Sequence, residues 1–299
     1  MCTNTELYYA GIDASQLGPV GLKTTLHDLI DGHTVLSYTP GVWTALTMLD
    51  RSPTDSSQVR LLYSDHTHHA TNNRGQMSTW NREHAWPQSY GVSDSGPDNA
   101  DVHHIFASDS NVNSARGNKY FDNCPSPACT SPAHPEAAAD TATDSDRWQP
   151  PASRRGDIAR ALMYMAVRYD GSEAGTTDLE LAEVADAATS TMGNLTTLLQ
   201  WHEEDPVSSE ETLRNIFICQ LYQGNRNPFV DRPEWVNCIF SPDELCPNNF
   251  GVVSFPPSPR PPPPSLPPSP RPPPPPSICS HTPSICDGTF NGTYLNLYN

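Results

Sequence analysis

The sequence predicts an α+β domain, mostly helical, organised around one hairpin-plus-helix core. Three observations predict it. Several segments carry apolar residues at helical spacing, and Val59, Leu61 and Tyr63 alternate along SQVRLLYSD as in a half-buried strand. The third is the stretch Trp80 to Phe121, where a Glu-His pair precedes a turn-rich loop and an Asn- and Arg-rich helix-forming run follows it.

Taken in order, Leu22, Leu26, Leu29 and Ile30 share a helical face that Gly32 stops. A second helix follows Pro40 with Val42, Trp43, Leu46 and Leu49 on one side. The alternating strand leads into a loop with Asp65, His66, His68 and His69. Closely spaced imidazoles can chelate a metal, but a zinc hydrolase would show HExxH or another standard spacing, and this loop does not. It reads as a polar surface loop.

After the central stretch, residues 122 to 151 form a Pro-, Ala-, Ser- and Asp-rich insertion, a surface excursion clipped by Cys124 and Cys129. RRGDIARALMYMAVRYDG then predicts an amphipathic helix capped by Asp157, with a seam of Ile158, Leu162, Met165 and Tyr169 and a stop at Gly171. The segment 189 to 202 is a helix or a loop. In SSEETLRNIFICQLYQGN, Ser208 and Glu211 spell a capping box, with Leu213, Ile216, Phe217 and Leu221 facing inward and Gly224 closing the helix.

Composition divides the chain. Fifteen of the 21 residues from Pro256 to Pro276 are proline, so a globular domain over 1–250 is expected to give way to a polyproline II linker over 251–278 and a short Cys-containing tail over 279–299. The proline run would form a rod on the order of 65 Å long at about 3.1 Å per residue. It resembles hydroxyproline-rich matrix glycoproteins, which implies attachment to a cell-wall or matrix polymer. The eight cysteines form no CxxC array, which argues against a zinc ribbon. Cys124 with Cys129 and Cys279 with Cys286 read as local bridges, while Cys219, Cys238 and Cys246 compete for another, with Cys2 the odd partner. This usage and the sequons at Asn194 and Asn291 point to a secreted, disulfide-bonded glycoprotein. No 18-residue apolar run spans a membrane, no leader is visible at the N-terminus, and a monomer is expected.

Hydrolysing a phosphodiester requires an activated water and neutralisation of the phosphate and leaving oxygens. A neutral histidine can take the water's proton, and a hard divalent ion held by a carboxylate and an amide carbonyl can do the rest. Glu83 and His84, being adjacent, point to opposite sides of a strand. The division of labour is therefore Glu83 to the metal and His84 to the water, with Asn113 the second ligand, on a short helix capped by Ser108 or Ser110 and ended by Gly117.

The order WNREHAWP at Trp80, DVHHI at Asp101 and DSNVNSARGNK at Asp109 resembles the endonuclease I family, within the His-Me finger or ββα-metal superfamily. The likeness continues through HTVLSY at His33, RGDIARALMYMAVRY at Arg155 and QGNRNPFVDRPEWV at Gln223. The resemblance implies a ββα-metal hairpin-plus-helix core and a largely sequence-non-specific endonuclease that cuts DNA, and often RNA, to 5′-phosphate ends with Mg2+, or Ca2+ or Mn2+ in its place. It implies His84 as general base and Glu83 and Asn113 as metal ligands. Some members carry a phosphate-binding arginine in the loop spanned here by Tyr90 to Ala100, which contains none. Arg116 is the candidate to replace it in catalysis, with Arg82, Lys119 and Arg155 as substrate-binding cations. Asp101, His103, His104 and Asn118 are expected to brace the hairpin and helix. Asn225 and Asn227 are expected in turns, and Arg226 is a candidate to reach the cleft. The net charge of −17 repels nucleic acid, but much of it lies outside the central stretch, so binding is expected to depend only shallowly on salt.

Overall fold

A computed structural model describes residues 2–71, 79–241 and 246. The proline-rich segment and the tail, with Cys279, Cys286 and Asn291, lie outside the described residues. The chain folds into mixed helices and small sheets. In order come α1 (Thr5–Tyr8), α2 (Ala14–Ile30), α3 (Trp43–Leu49), β1 (Gln58–Arg60), β2 (Thr67–His69), β3 (Trp80–His84), β4 (Ile105–Asp109) and α4 (Ser110–Arg116). Then follow β5 (Tyr120–Phe121), β6 (Ala142–Thr143), β7 (Arg147–Gln149), α5 (Arg155–Arg168), β8 (Glu180–Leu181), β9 (Thr191–Met192), α6 (Leu195–Glu204), α7 (Ser209–Phe217), α8 (Pro228–Asp231) and α9 (Trp235–Phe240). Strands β1 and β2 pair antiparallel, as do β3 and β4; β7 lies between β5 and β6; β8 pairs parallel with β9.

Helix α5 is central. Its sequence shows one apolar seam, yet nearly every residue from Gly156 to Arg168 is buried, because α2, α6 and α8 pack around it. Burying Arg160 and Arg168 requires partners. Arg160 grips both oxygens of Glu211 at 2.7 Å, and Arg168 pairs with Asp31 at 3.0 Å and Glu173 at 2.8 Å. Glu211 therefore does not complete the expected capping box: its backbone N–H donates to Ser208 Oγ, but its carboxylate serves Arg160. Nor does Asp157 cap α5. It pairs with Arg154 and Arg160, while the free N–H of Gly156 donates to Asp205 at 2.9 Å. On α7 and the π-helical turn after it, the inward residues are Asn215, Ile218 and Cys219. Leu213 and Leu221 are exposed, so the widened turn shifts the buried face off the predicted one.

Two apolar clusters flank the β3–β4 hairpin. One gathers α2, α5, α6 and α9 around Phe106 and Ala85; the other gathers Val42, Leu46, Leu49 and Val59 around Trp80, Ile105 and Ala107. Strand alternation sends Phe106 to one cluster and its neighbours Ile105 and Ala107 to the other. The alternation predicted around Val59 covers only three residues as strand, and Leu61, Leu62 and Tyr63 are all buried. The insertion is not a mere surface excursion. It places Trp148 fully in the core, 5.3 Å from the Tyr63 ring, and donates Ala138 N–H to Tyr63 O.

Among the described residues, three disulfides join Cys2 to Cys219, Cys124 to Cys129 and Cys238 to Cys246. The first fixes the N-terminus beside Arg226, whose guanidinium binds Cys2 O and both oxygens of Asp231. Arg226 is thus buried in an ion pair and does not reach a cleft. At the sequon, Asn194 caps α6 by accepting from Thr197 N–H and donating to Glu183 O.

Candidate active site

The register of β3 and β4 sets Trp80 opposite Asp109 and Glu83 opposite Phe106. Asp109, not Ser108 or Ser110, caps α4: its Oδ1 accepts from the N–H groups of Asn111 at 2.8 Å and Val112 at 3.1 Å. Gly117 ends the helix at φ 56°, which a residue with a Cβ adopts only under strain. The helix lies against β3 through Asn113, whose Nδ2 donates to Arg82 O at 3.2 Å, and through Arg116 one turn later.

Glu83 and His84 do point apart. Glu83 is 2 % exposed, and its Oε1 accepts from Tyr63 O–H at 2.7 Å and Arg116 Nη1 at 3.0 Å. Burial raises its carboxyl above the ordinary value, and the guanidinium and the hydroxyl work against that. Its hydrogen bonds among the described residues all fall on Oε1, so Oε2 is left for another partner. Asn113 donates one amide hydrogen to β3, which fixes the amide, and its Oδ1 accepts no hydrogen bond among the described residues. One carboxylate oxygen and one amide oxygen borne by neighbouring elements fit a hard divalent cation that keeps most of its waters.

On the other side of β3, His84 Nε2 lies 3.1 Å from Asn99 O. A carbonyl only accepts, so Nε2 carries the hydrogen and Nδ1 the lone pair. The ring sits 5.7 Å from that of Tyr38 and 5.3 Å from that of His104. His104 Nδ1 is sealed without a partner; His84 Nδ1 is not among such buried atoms. Burial pushes His84 down to about 4, with the Asn99 carbonyl opposing, so the ring is neutral at neutral pH.

The expected cations are placed unevenly. Arg116 is 1 % exposed; besides Glu83 it donates to His84 O at 2.9 Å and Ala85 O at 3.0 Å, so its guanidinium is committed inside the protein and is not free to clamp a phosphate. Arg82 lies 3.4 Å over the Tyr38 ring centre and donates to Tyr38 O and Thr39 Oγ1. Arg155 packs on Trp201 and Pro150 O, and no contact joins it to Glu83, His84 or Asn113 among the described residues. Lys119 and exposed Asn118 line a groove of about 640 Å³ at the end of α4, with Tyr90, Tyr120, Ser145 and Asp146. Lys119 Nζ donates there to Ala115 O and Thr143 Oγ1.

Asp101 is fully buried and accepts from Tyr164 and Tyr169 hydroxyls, Gln223 Nε2 and His103 N–H. His103 meets Asn225 O, and His104 meets Asp98 O. Together they lock the turn between β3 and β4 onto α5 and the Gln223–Asn227 segment. Sequence reasoning missed Tyr63 and Asn99, the two groups that orient Glu83 and His84. Tyr63 read as strand core and Asn99 as loop, and no local signal marks either.

The chain matches Endonuclease I over residues 20–234. It is 43% identical over 240 residues to a Bacillus amyloliquefaciens protein named extracellular ribonuclease, and 41% identical over 242 residues to one of the same name from Bacillus subtilis (strain 168). Each alignment covers 79% of this chain and 79% of the relative. With a family match that takes in α5, the β3–β4 hairpin and α4, and relatives alike over most of their length, the chain belongs to the endonuclease I family.

Proposed function

We propose that this chain is a metal-dependent endonuclease of low sequence specificity that hydrolyses phosphodiester bonds in RNA and DNA and leaves 5′-phosphate ends. The family and the two relatives support a nuclease hydrolase, and the relatives' names favour RNA as a substrate beside DNA. The three disulfides and those names also favour an extracellular site of action.

The observation that carries the reading is the tautomer of His84. With Nε2–H given to Asn99 O, Nδ1 holds the lone pair that accepts a proton from the attacking water, and burial keeps the ring uncharged for that task. Tyr38 and His104 hold the ring from its sides. Strand, strand and helix in this order are compatible with a ββα-metal core. Glu83 Oε2 and Asn113 Oδ1 would hold the divalent ion, which when bound supplies charge neutralisation at the phosphate and leaving oxygens. Arg116 acts as a positioning residue: it fixes Glu83 and, through the carbonyls of His84 and Ala85, the end of β3. Lys119 and Asn118 take over the phosphate contacts along the groove.

Supercoiled plasmid and an end-labelled RNA test the reading in Mg2+ with and without chelator. Wild type should cut both only with the divalent ion. His84→Ala should lower kcat by about 10²- to 10⁴-fold with an unchanged circular dichroism spectrum. Cutting that ignores the chelator, or a fully active His84→Ala, would overturn it.

A further inference from the structure

We propose that His66, His68 and Asp109 form a second divalent-metal site, of imidazole and carboxylate chemistry suited to zinc, which clips the β1–β2 hairpin to the start of α4. The ligand atoms of the three side chains lie within 4.8 Å of one another. His68 Nε2 is 2.8 Å from Asp109 Oδ2 and His66 Nε2 is 3.6 Å from the same oxygen, so both rings turn the same nitrogen to one point. The rings stand edge to face at 5.2 Å, close to perpendicular. His68 lies in β2 and His66 just before it, and both side chains reach the same carboxylate oxygen. His69, on the other side of the strand from His68, binds Thr71 instead.

Asp109 is 1 % exposed. Its Oδ1 is used by the first N–H groups of α4, which leaves Oδ2, on a fixed carboxylate, for the two imidazoles. Two imidazole nitrogens and one carboxylate oxygen are three of the four ligands zinc takes, and His66, 43 % exposed at its side chain, leaves the fourth direction open to water. The donor set separates this site from the oxygen pair at Glu83 and Asn113, since imidazole suits zinc and its neighbours whereas magnesium prefers oxygen. Space separates them too: Asp109 pairs with Trp80, three residues along β3 from Glu83, on the order of 10 Å. Because Asp109 caps the helix that carries Asn113 and Arg116, an ion here would brace that helix from its other end. The site does not depend on the nuclease reading.

Isothermal titration of the full chain with ZnCl₂, in buffer saturated with Mg2+, tests this. We expect one zinc per chain and a rise in melting temperature with zinc. Removing a direct ligand should weaken binding at least about tenfold, the least that loss of supporting groups costs, in His66→Ala and in His68→Ala. His69→Ala and Glu83→Gln should bind zinc as wild type does. His66 is exposed enough that its alanine variant should keep the metal-free melting temperature. Cobalt in place of zinc should give the visible absorption of a tetrahedral ion, lost in the same two variants. Wild type without saturable zinc binding, or zinc binding undiminished in both His66→Ala and His68→Ala, would overturn the proposal.

Discussion

Replacing Asp101 by asparagine should destabilise the fold by about 2–4 kcal/mol, and the figure follows from four hydrogen bonds to charged oxygens. Tyr164 and Tyr169 donate to Oδ2 at 2.7 and 2.9 Å; Gln223 Nε2 and His103 N–H donate to Oδ1, both at 2.9 Å. Burial pushes the Asp101 carboxyl up, but the neighbouring imidazoles and the Gln223 hydrogen bond bring it below the ordinary range, so the folded protein favours the ion. Asparagine keeps one acceptor. Its NH₂ must face either the two hydroxyls or the two N–H donors. Facing the hydroxyls is the better choice, because each phenol oxygen can accept. Two charge-assisted bonds, each about 1.5–3 kcal/mol, are then exchanged for neutral ones of about 1 kcal/mol. The hydroxyl hydrogens of Tyr164 and Tyr169, which both pointed at Oδ2, then lose that acceptor. Relief of the buried charge offsets part of this loss. Urea unfolding at neutral pH measures the difference, with Tyr169→Phe, which removes a single donor, as a milder reference of about 1 kcal/mol. An Asp101→Asn variant as stable as Tyr169→Phe would refute the argument that the ion holds these elements together.

Arg116→Lys should lower kcat about tenfold to hundredfold with little change in KM, because an ammonium cannot span Glu83, His84 O and Ala85 O together; a raised KM at unchanged kcat would mean that Arg116 binds substrate directly. Gly156→Ala should cost about 1–3 kcal/mol in urea unfolding, since a Cβ there would sit 2.0 Å from Asp205 O; an unchanged midpoint would contradict that packing. Acidification should weaken the fold. His103 and His202 are pushed down to about 4 by burial from an ordinary value of 6.5, so between these values the unfolded chain binds protons the folded one refuses. Stability then falls as pH drops from 6.5 towards 4, by on the order of 3 kcal/mol for each histidine. His202→Gln should flatten that slope in urea titrations at stepped pH, and a slope equal to wild type would count against the burial argument.

What was legible in the sequence is what period and adjacency encode. The helical spacing around Leu22 and Ile158 is local, and both helices form where it places them. The opposed directions of Glu83 and His84 follow from the pleat of any strand, and they survive folding intact. What tertiary packing decides stayed hidden. Arg116 looks, in sequence, like a free cation at the end of a polar helix. Only the packing of α4 on β3 turns it inward to Glu83, because a buried carboxylate without a partner would cost more than a lost surface charge. Tyr63 and Asn99 lie 20 and 15 residues from their partners, beyond any spacing rule. Cys2 could have been matched with Cys238 or Cys246 as readily as with Cys219, since a separation of 217 residues is set by the fold alone.

The same distinction accounts for the insertion. Its low-complexity composition argues for exposure, because few of its residues can bury apolar area. One tryptophan outweighs that average: Trp148 fills the core beside Tyr63, and Tyr63 donates to the carboxylate oxygen that Arg116 also holds. Glu83 is therefore oriented by a chain of contacts that begins in a segment whose composition suggests it could be removed. The site depends on long-range contacts at each step from Trp148 to Glu83, and composition averaged over thirty residues cannot register one buried side chain.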